Sequence, residues 1–343
     1  MPPAVRTRRS TVVPLPSAGG TGTPSVDVVV PLSPLDTRWA ALPPVCHVFL
    51  FPAAAHQQQV PFSDVVRGLR SSLAAVLPAF HTLAGELAYS PELGTVTIVC
   101  GEDAGVAFVE AETDLDLASL VFEDDDGAAD LDVDALPQLV PDIRREVLPG
   151  ADVRGAAGPG PGVVEAAPST FATLAAHGWV SFALASGFTD AAPVFAVFLA
   201  DCRAHMSPLV PDAYAGNCVE SCVVALSGAE LTGADGPALA FLAIRDAAAE
   251  VKRDPLAGSG SWITRFRAAP PGRKVVMAGS PWFPAYAVDF GFGRPARVER
   301  ASLEQDGAMA IFAGREAGSV QASVVVAAGK MRAFHRMFEV KSS

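Results

Sequence analysis

The sequence has too little positive charge for several classes of partner. It contains 25 Lys and Arg residues against 37 Asp and Glu residues, which gives a formal net charge of -12 at pH 7. Proteins that bind nucleic acid or an anionic membrane surface neutralise phosphate groups with a surplus of Lys and Arg. The composition therefore predicts a protein with no nucleic-acid partner and no membrane partner.

Cysteine is also scarce. Five of the 343 residues are cysteine, and they are scattered along the chain: Cys46, Cys100, Cys202, Cys218 and Cys222. An odd, scattered set in a long chain is typical of reduced thiols in the cytosol, not of a disulfide framework. The pair at Cys218 and Cys222 has no further His or Cys at ligand spacing, so the sequence predicts no zinc site.

Long apolar runs are few. The longest uncharged segment, 166–189, contains Pro168 and His177 and is followed at once by Asp190, so we interpret it as a buried strand leading into a helix and not as a membrane span. The arginines near the N-terminus precede a segment rich in Pro, Gly and Ser, which is unlike a secretory signal. We therefore expect a cytoplasmic protein.

The chain has 343 residues, of which 50% are hydrophobic, and this is enough to form the cores of two domains. Hydrophobic spacing and composition predict helices at 63–77, 190–202, 237–252 and 330–338. Strands are predicted at 26–30, 45–51, 95–100, 106–110, 181–185, 214–226, 275–278, 297–303, 308–313 and 319–326. The acidic segment 123–134 and the Gly/Pro-rich segment 150–162 are predicted loops. Because strands and helices intermix, we expect a layered α/β fold.

Several short motifs together point to one protein family. They are Pro-Leu-Ser-Pro-Leu-Asp at 31–36, Leu-Arg-Ser-Ser-Leu at 69–73, Leu-Ala-Gly-Glu-Leu at 83–87, Leu-Val-Pro at 139–141, Asp-Ala-Tyr-Ala-Gly-Asn-Cys at 212–218 and Gly-Ser-Pro at 279–281. The last motif is Asp289-Phe290-Gly291-Phe292-Gly293. Nearly end to end, the chain resembles the BAHD family of plant acyl-CoA-dependent acyltransferases, in the branch that malonylates or aromatically acylates anthocyanins and phenolic glucosides.

The resemblance implies a fold and a set of ligands. The fold is two chloramphenicol-acetyltransferase-like domains of two-layer α/β type with mixed sheets, at 1–205 and 206–343, with the ligand cleft between them. The ligands are an acyl-CoA thioester, carrying a malonyl or hydroxycinnamoyl group, and a phenolic or flavonoid glycoside. No metal or prosthetic group is implied, and we expect a monomer.

The resemblance also implies roles for particular residues. The family motif His-x-x-x-Asp aligns with 186–190, where the histidine that acts as general base is replaced by Ser186 and the structural aspartate is Asp190. Gly216 and Asn217 are possible neighbours of the cleft, and 289–293 is a structural turn. A serine hydroxyl is a poor proton acceptor near neutral pH, and general-base assistance is typically worth about 10² to 10⁴ in rate.

The interval between Asp190 and Asn217 is much shorter than in relatives, which predicts a segment missing between Asp190 and Asp212 and a second domain truncated at its start. A faulty gene model, a decayed duplicate and a natural variant would all produce this pattern. Two functional hypotheses follow. The chain is either an acyltransferase that has lost its general base or a non-catalytic relative that binds a ligand or a protein.

Other site types fit the sequence less well. Gly291-x-Gly293-x-x-Ala296 matches a dinucleotide fingerprint, but Pro295 interrupts it and no βαβ context is evident. A nucleophilic Ser186 would need a base and a Gly-x-Ser-x-Gly elbow. His177, as a substitute base, would lie on the opposite face of the predicted strand. The acidic segment lacks the first ligand of a calcium loop.

Overall fold

The computed structural model describes residues 5–16, 28–40, 45–51, 60–92, 94–115, 169–257, 262–301 and 306–339. The predicted loops at 123–134 and 150–162 and the motif at 139–141 lie outside the described residues. The chain forms two compact units. Unit 1 comprises Met1–Val153 and Tyr286–Ser302, and unit 2 comprises Arg154–Ala285 and Leu303–Ser343.

The described strands are β1 (Val5–Pro14), β2 (Val28–Pro31), β3 (His47–Leu50), β4 (Glu86–Ser90), β5 (Thr95–Cys100), β6 (Gly105–Thr113), β7 (Pro193–Asp201), β8 (Val219–Ser227), β9 (Lys274–Ser280), β10 (Arg297–Arg300), β11 (Ala308–Ala313) and β12 (Val320–Val325). The described α-helices are α1 (Pro34–Thr37), α2 (Phe62–Val76), α3 (Thr170–Ala185), α4 (Gly228–Thr232), α5 (Gly236–Arg253), α6 (Trp262–Ala268) and α7 (Ala328–Phe338).

Unit 1 contains small antiparallel sheets. β1 pairs with β6, β3 pairs with β10, and β5 lies between β2 and β4. The short helix α1 begins after Ser33, whose hydroxyl accepts a hydrogen bond from the Asp36 backbone N–H at 3.2 Å, and Pro34 occupies its first turn. The helix predicted at 63–77 is confirmed as α2. Strand β1 was not predicted.

Unit 2 is built around a five-stranded mixed sheet with strand order β12-β11-β9-β7-β8. β7, β9 and β11 run parallel, whereas β8 and β12 are antiparallel to their neighbours. Helix α3 packs against α5 and α7. Side chains that fill the core include Trp179, Phe182, Phe198, Met309 and Ile311, all of which are almost completely buried. The predicted α/β fold with mixed sheets is confirmed.

Two predictions around residue 185 are wrong. The strand predicted at 181–185 is the last part of α3, and the helix predicted at 190–202 is strand β7. Both segments are largely apolar and mostly buried, and a short apolar run does not distinguish a buried helix from a buried strand by its periodicity. Among the described residues, no helix has the length and apolar character needed to cross a membrane.

The compact units divide the chain after Val153, Ala285 and Ser302. β7 and β8, each nine residues long, pair with each other from Pro193↔Ser227 to Asp201↔Val219, so the antiparallel pair spans the predicted boundary. Strands that pair directly belong to one sheet and share its core. The division of the chain into family domains at 1–205 and 206–343 stays a prediction.

Substituting Gly279 tests the close approach of β9 to β11. Gly279 has φ +97°, and a Cβ there would contact the Ile311 carbonyl oxygen, whereas Gly272 has φ +75° and open space around it in the described structure. Urea denaturation should show that Gly279→Ala loses about 2 to 4 kcal/mol of unfolding free energy, from backbone strain plus steric clash, and that Gly272→Ala loses about 1 kcal/mol. Equal losses would contradict the close contact between the two strands.

Candidate active site

Ser186 lies at the C-terminal end of a helix. It follows the last residue of α3, and its backbone N–H donates to Phe182 O at 3.0 Å. Gly187 comes next with φ +67°; its N–H donates to Leu184 O and the Phe188 N–H donates to Ala183 O, both at 3.1 Å. These two bonds form a Schellman motif, in which glycine ends a helix in the left-handed conformation. The Ser186 environment is therefore a helix cap and not the end of a core strand.

The side chain of Ser186 makes no hydrogen bond with any described residue. Its Oγ atom is buried and has no hydrogen-bond partner among the described residues. The ring of Phe188 packs edge-on against Phe182, with 6.2 Å between centroids, and this contact fastens the cap to α3. A nucleophilic serine needs a base within hydrogen-bond reach. No described residue provides such a base at Ser186.

Asp190 is held by a bidentate ion pair with Arg273. Its Oδ1 accepts from Nη2 at 2.6 Å and its Oδ2 accepts from Nη1 at 3.2 Å. Arg273 also donates to the carbonyls of Ala192 and Pro193 at 2.8 and 3.1 Å, and its guanidinium lies 4.2 Å from the centre of the Phe188 ring. The hydrogen bond from Arg273 holds the pKa of the Asp190 carboxyl below its ordinary value of 3.8. The carboxylate thus fixes the turn between α3 and β7.

Gly216 and Asn217 lie at the other end of β7. They close the loop that leaves β7 after Asp201 and returns to β8 at Val219. Asp201 and Val219 are paired across the two strands. β7 spans roughly 26 Å at ~3.3 Å per residue. Gly216 and Asn217 are therefore separated from Ser186 and Asp190 by the length of this strand. The structure does not bring the two predicted groups of site residues together.

The motif at 289–293 forms a turn in unit 1. Asp289 Oδ1 accepts hydrogen bonds from the backbone N–H groups of Gly291 at 2.7 Å and Gly293 at 3.1 Å, and both glycines have φ above +90°. The rings of Phe290 and Phe292 pack edge-on against Phe49 and Phe51, with the Phe51–Phe292 centroids 4.8 Å apart. That this turn has a structural role, as the resemblance implies, stays a prediction. β10 follows the motif where a dinucleotide-binding loop would require a helix.

Three of the described histidines interact with neighbouring groups of the fold. His177 lies on α3 and not on a strand, and its Nε2 is 2.7 Å from Phe338 O at the end of α7. Burial lowers the pKa of His47, and the nearby charge of Arg300 adds to this effect. His335 Nε2 is 3.6 Å from Glu339, one helical turn away. His56 lies outside the described residues.

The cysteines are free thiols. Burial raises the pKa of Cys222 to about 12, so this thiol is almost entirely protonated near neutral pH. Within the described part of the chain, no group of three or more His, Cys, Asp and Glu side chains is arranged to hold a metal ion.

The Asp190–Arg273 pair should make stability depend on pH in a defined direction. Because the folded-state pKa of Asp190 is depressed, the pair stabilises the protein above the unfolded-state pKa, near 3.8, and this contribution is lost as the pH falls through the lower folded-state pKa. Asp190→Asn should therefore be less stable than wild type at pH 7, and the difference should shrink below pH 4 when thermal unfolding is measured at several pH values.

Asp246→Asn is the matched control, because Asp246 pairs only with its exposed sequence neighbour Arg245 in the contacts described. Exposed pairs of this kind contribute little, so the control should unfold like wild type at every pH. A deficit of Asp190→Asn that stays constant down to pH 3 would show that the carboxylate charge is not what Arg273 recognises.

Comparisons with known proteins agree on the family. The family model described as the transferase family matches residues 7–147 and 160–341. Phenolic glucoside malonyltransferase 1 of Nicotiana tabacum is 35% identical over 108 residues, which cover 31% of this chain and 24% of that protein. Its namesake in Arabidopsis thaliana is 30% identical over 150 residues, which cover 43% and 32%. The alignments thus span a third or less of these curated relatives.

The solved structure of vinorine synthase is similar in fold. The structural alignment covers 96% of this chain and 96% of the vinorine synthase chain, with a TM-score of 0.64 and 14% sequence identity. This likeness supports the chloramphenicol-acetyltransferase-like fold.

That a segment is missing between Asp190 and Asp212 stays a prediction. The family match includes this interval and is interrupted at 148–159, outside the described residues. β7 and the start of its loop to β8 occupy the interval where a segment was expected to be missing. Since the match covers most of the chain on both sides of the interruption, the chain belongs to the transferase family, that of the BAHD acyltransferases.

Proposed function

We propose that this chain descends from an enzyme that transfers an acyl group, malonyl or hydroxycinnamoyl, from CoA to a hydroxyl of a phenolic or flavonoid glycoside, and that it retains the ability to bind the CoA thioester. The observation that carries this proposal is the family match on both sides of residues 148–159. The curated relatives named as phenolic glucoside malonyltransferases support malonyl-CoA as the first thioester to test. The cytoplasmic location and the monomeric state stay predictions.

The reaction makes modest chemical demands. The acceptor oxygen attacks the thioester carbonyl, the carbon–sulfur bond breaks, and the hydroxyl proton ends on the departing CoA thiol. A general base speeds this transfer, hydrogen-bond donors stabilise the oxyanion, and a pocket aligns the two substrates. No metal or prosthetic group is required by this chemistry.

The carboxyl edge of the unit 2 sheet is a better location for the ligand than the turn that contains Ser186 and Asp190. β7, β9 and β11 are parallel, so the loops that follow them leave from the same edge, and open α/β sheets bind ligands outside the carboxyl ends of their strands. Gly216 and Asn217 belong to the loop after β7. Leu209 on that loop is 77% exposed, and Trp282 after β9 is 84% exposed, which provides apolar surface for an acyl-CoA.

The general base is the missing part. Ser186 as the position of the lost histidine stays a prediction, and its location at the opposite end of β7 from Asn217 argues against it. The interruption of the family match at 148–159 offers another place at which the base was lost. In either case the reaction would depend on substrate positioning and oxyanion stabilisation, without the ~10² to 10⁴ of rate that a base provides.

A second candidate function is that of a non-catalytic relative that binds an acyl-CoA thioester or a partner protein. The observation that favours it is the serine at 186 together with the interrupted match. A relative that binds the thioester differs from the acyltransferase only in turnover, whereas a relative that binds a partner protein need not bind the thioester. Binding and product formation must therefore be measured separately.

The proposed function is tested with malonyl-CoA and a flavonoid glucoside. We expect calorimetry to detect binding of malonyl-CoA, and we expect release of free CoA and formation of the malonylated glucoside at a rate at least ~10² below that of an enzyme with a histidine base. Binding with no product supports the non-catalytic relative. Absence of binding by a folded protein contradicts the acyltransferase and the thioester-binding relative, and leaves only a relative that binds a partner protein.

The variant Ser186→His tests the position of the base. We expect turnover within about threefold of wild type, because a side chain at the cap of α3 lies a strand length away from Asn217. Ser186→Ala serves as the matched control for loss of the hydroxyl. An increase of about 10² in Ser186→His, with no change in Ser186→Ala, would establish residue 186 as the base position.

A further inference from the structure

The loop between β7 and β8 has a fixed stem. The backbone N–H of Cys202 donates to Cys218 O at 2.9 Å, and the Cys202 Sγ–H donates to the same oxygen at 3.1 Å. Both cysteines are buried, whereas Asn217 beside them is exposed. Exposed loop residues beyond such a stem need contacts of their own to hold one conformation.

Arg203 makes those contacts. Its Nη1 donates to Tyr214 O at 2.8 Å and its Nη2 donates to Gly216 O at 2.9 Å, so one guanidinium binds two carbonyls on the returning arm of the loop. The guanidinium carbon lies 5.7 Å from the centre of the Tyr214 ring, within the range of a cation–π contact. Asp201 Oδ1 accepts the Arg203 backbone N–H at 2.9 Å, which fixes the start of the loop.

The direction of these bonds determines what the loop presents. In a trans peptide the C=O and the following N–H point in opposite directions. Because Gly216 O points at Arg203, the N–H of Asn217 is directed to the other side of the loop. The same reasoning directs the N–H that follows Tyr214 to that side. Arg203 therefore fixes the orientation of two peptide groups on the returning arm.

We propose that Arg203 is a positioning residue for acyl-CoA binding, which acts by holding Gly216 and Asn217 in the orientation that contacts the thioester. This inference rests on the proposed function. A planar fork with donors in fixed directions suits two carbonyls, and the single ammonium of lysine cannot reproduce it. Arg203→Lys keeps the charge and removes the fork, whereas Arg203→Gln removes both.

The test measures the Kd of malonyl-CoA by calorimetry for the full chain and four variants: Arg203→Lys, Arg203→Gln, Asn217→Ala and the double variant Arg203→Gln/Asn217→Ala. We expect both Arg203 variants to weaken binding about tenfold, with thermal unfolding close to wild type. If Arg203 acts by orienting the Asn217 side chain, the double variant should bind no more weakly than Asn217→Ala alone, because residues that act through one contact are not additive. Arg245→Gln, on the exposed face of α5, is the control and should bind like wild type.

Other outcomes overturn the inference. Arg203 variants that bind like wild type, or additive losses in the double variant, would show that Arg203 does not act through Asn217. Hydrogen exchange gives a readout of the loop itself: faster exchange should be confined to 203–217 in Arg203→Lys, and unchanged exchange there contradicts the positioning role. A folded wild-type protein that binds no thioester is a different failure, because it removes the proposed function and this inference with it.

Discussion

The pairing of β7 with a strand on each side is the interaction on which unit 2 depends. β7 lies between β8 and β9, and its residues Ala196, Val197 and Phe198 are buried. Its position determines the rest of the arrangement. The turn from α3 enters β7 at one edge of the sheet, and the loop held by Arg203 leaves it at the other. Both predicted groups of site residues are therefore attached to one strand, at opposite ends.

The turn from α3 into β7 can be explained without chemistry on a substrate. Gly187 ends the helix, Phe188 packs on Phe182, and Asp190 binds Arg273. Each of these residues has a structural partner, and together they produce a spacing from Ser186 to Asp190 that resembles a catalytic motif. A spacing of four residues is a weak signal when a helix cap and an ion pair account for it equally well.

Sequence patterns predicted the elements whose apolar residues are periodic. The bounds of β5 and β11 were predicted residue by residue, and α2 and α5 to within about one residue at each end. The buried helix α3 was missed because its apolar residues surround it, although Ser169 at its start and Gly187 at its end are ordinary cap signals. The separation of Ser186 from Asn217 could not be predicted, because it depends on the pairing of Asp201 with Val219, which local pattern does not encode. The role of Arg203 was missed for the same reason. Its partners are the backbone carbonyls of Tyr214 and Gly216, and the local sequence pattern does not encode these contacts.

Unit 1 is discontinuous, because β3 pairs with β10 from a segment that follows most of unit 2. During synthesis on the ribosome, β3 emerges long before its partner strand exists. Until residues 297–300 leave the exit tunnel, the backbone groups of β3 must be hydrogen-bonded to water or covered by a chaperone. Contacts between residues so far apart in the sequence form slowly. Premature termination anywhere between these strands would leave β3 without its partner strand. Truncated products of this gene should therefore fold unit 1 poorly.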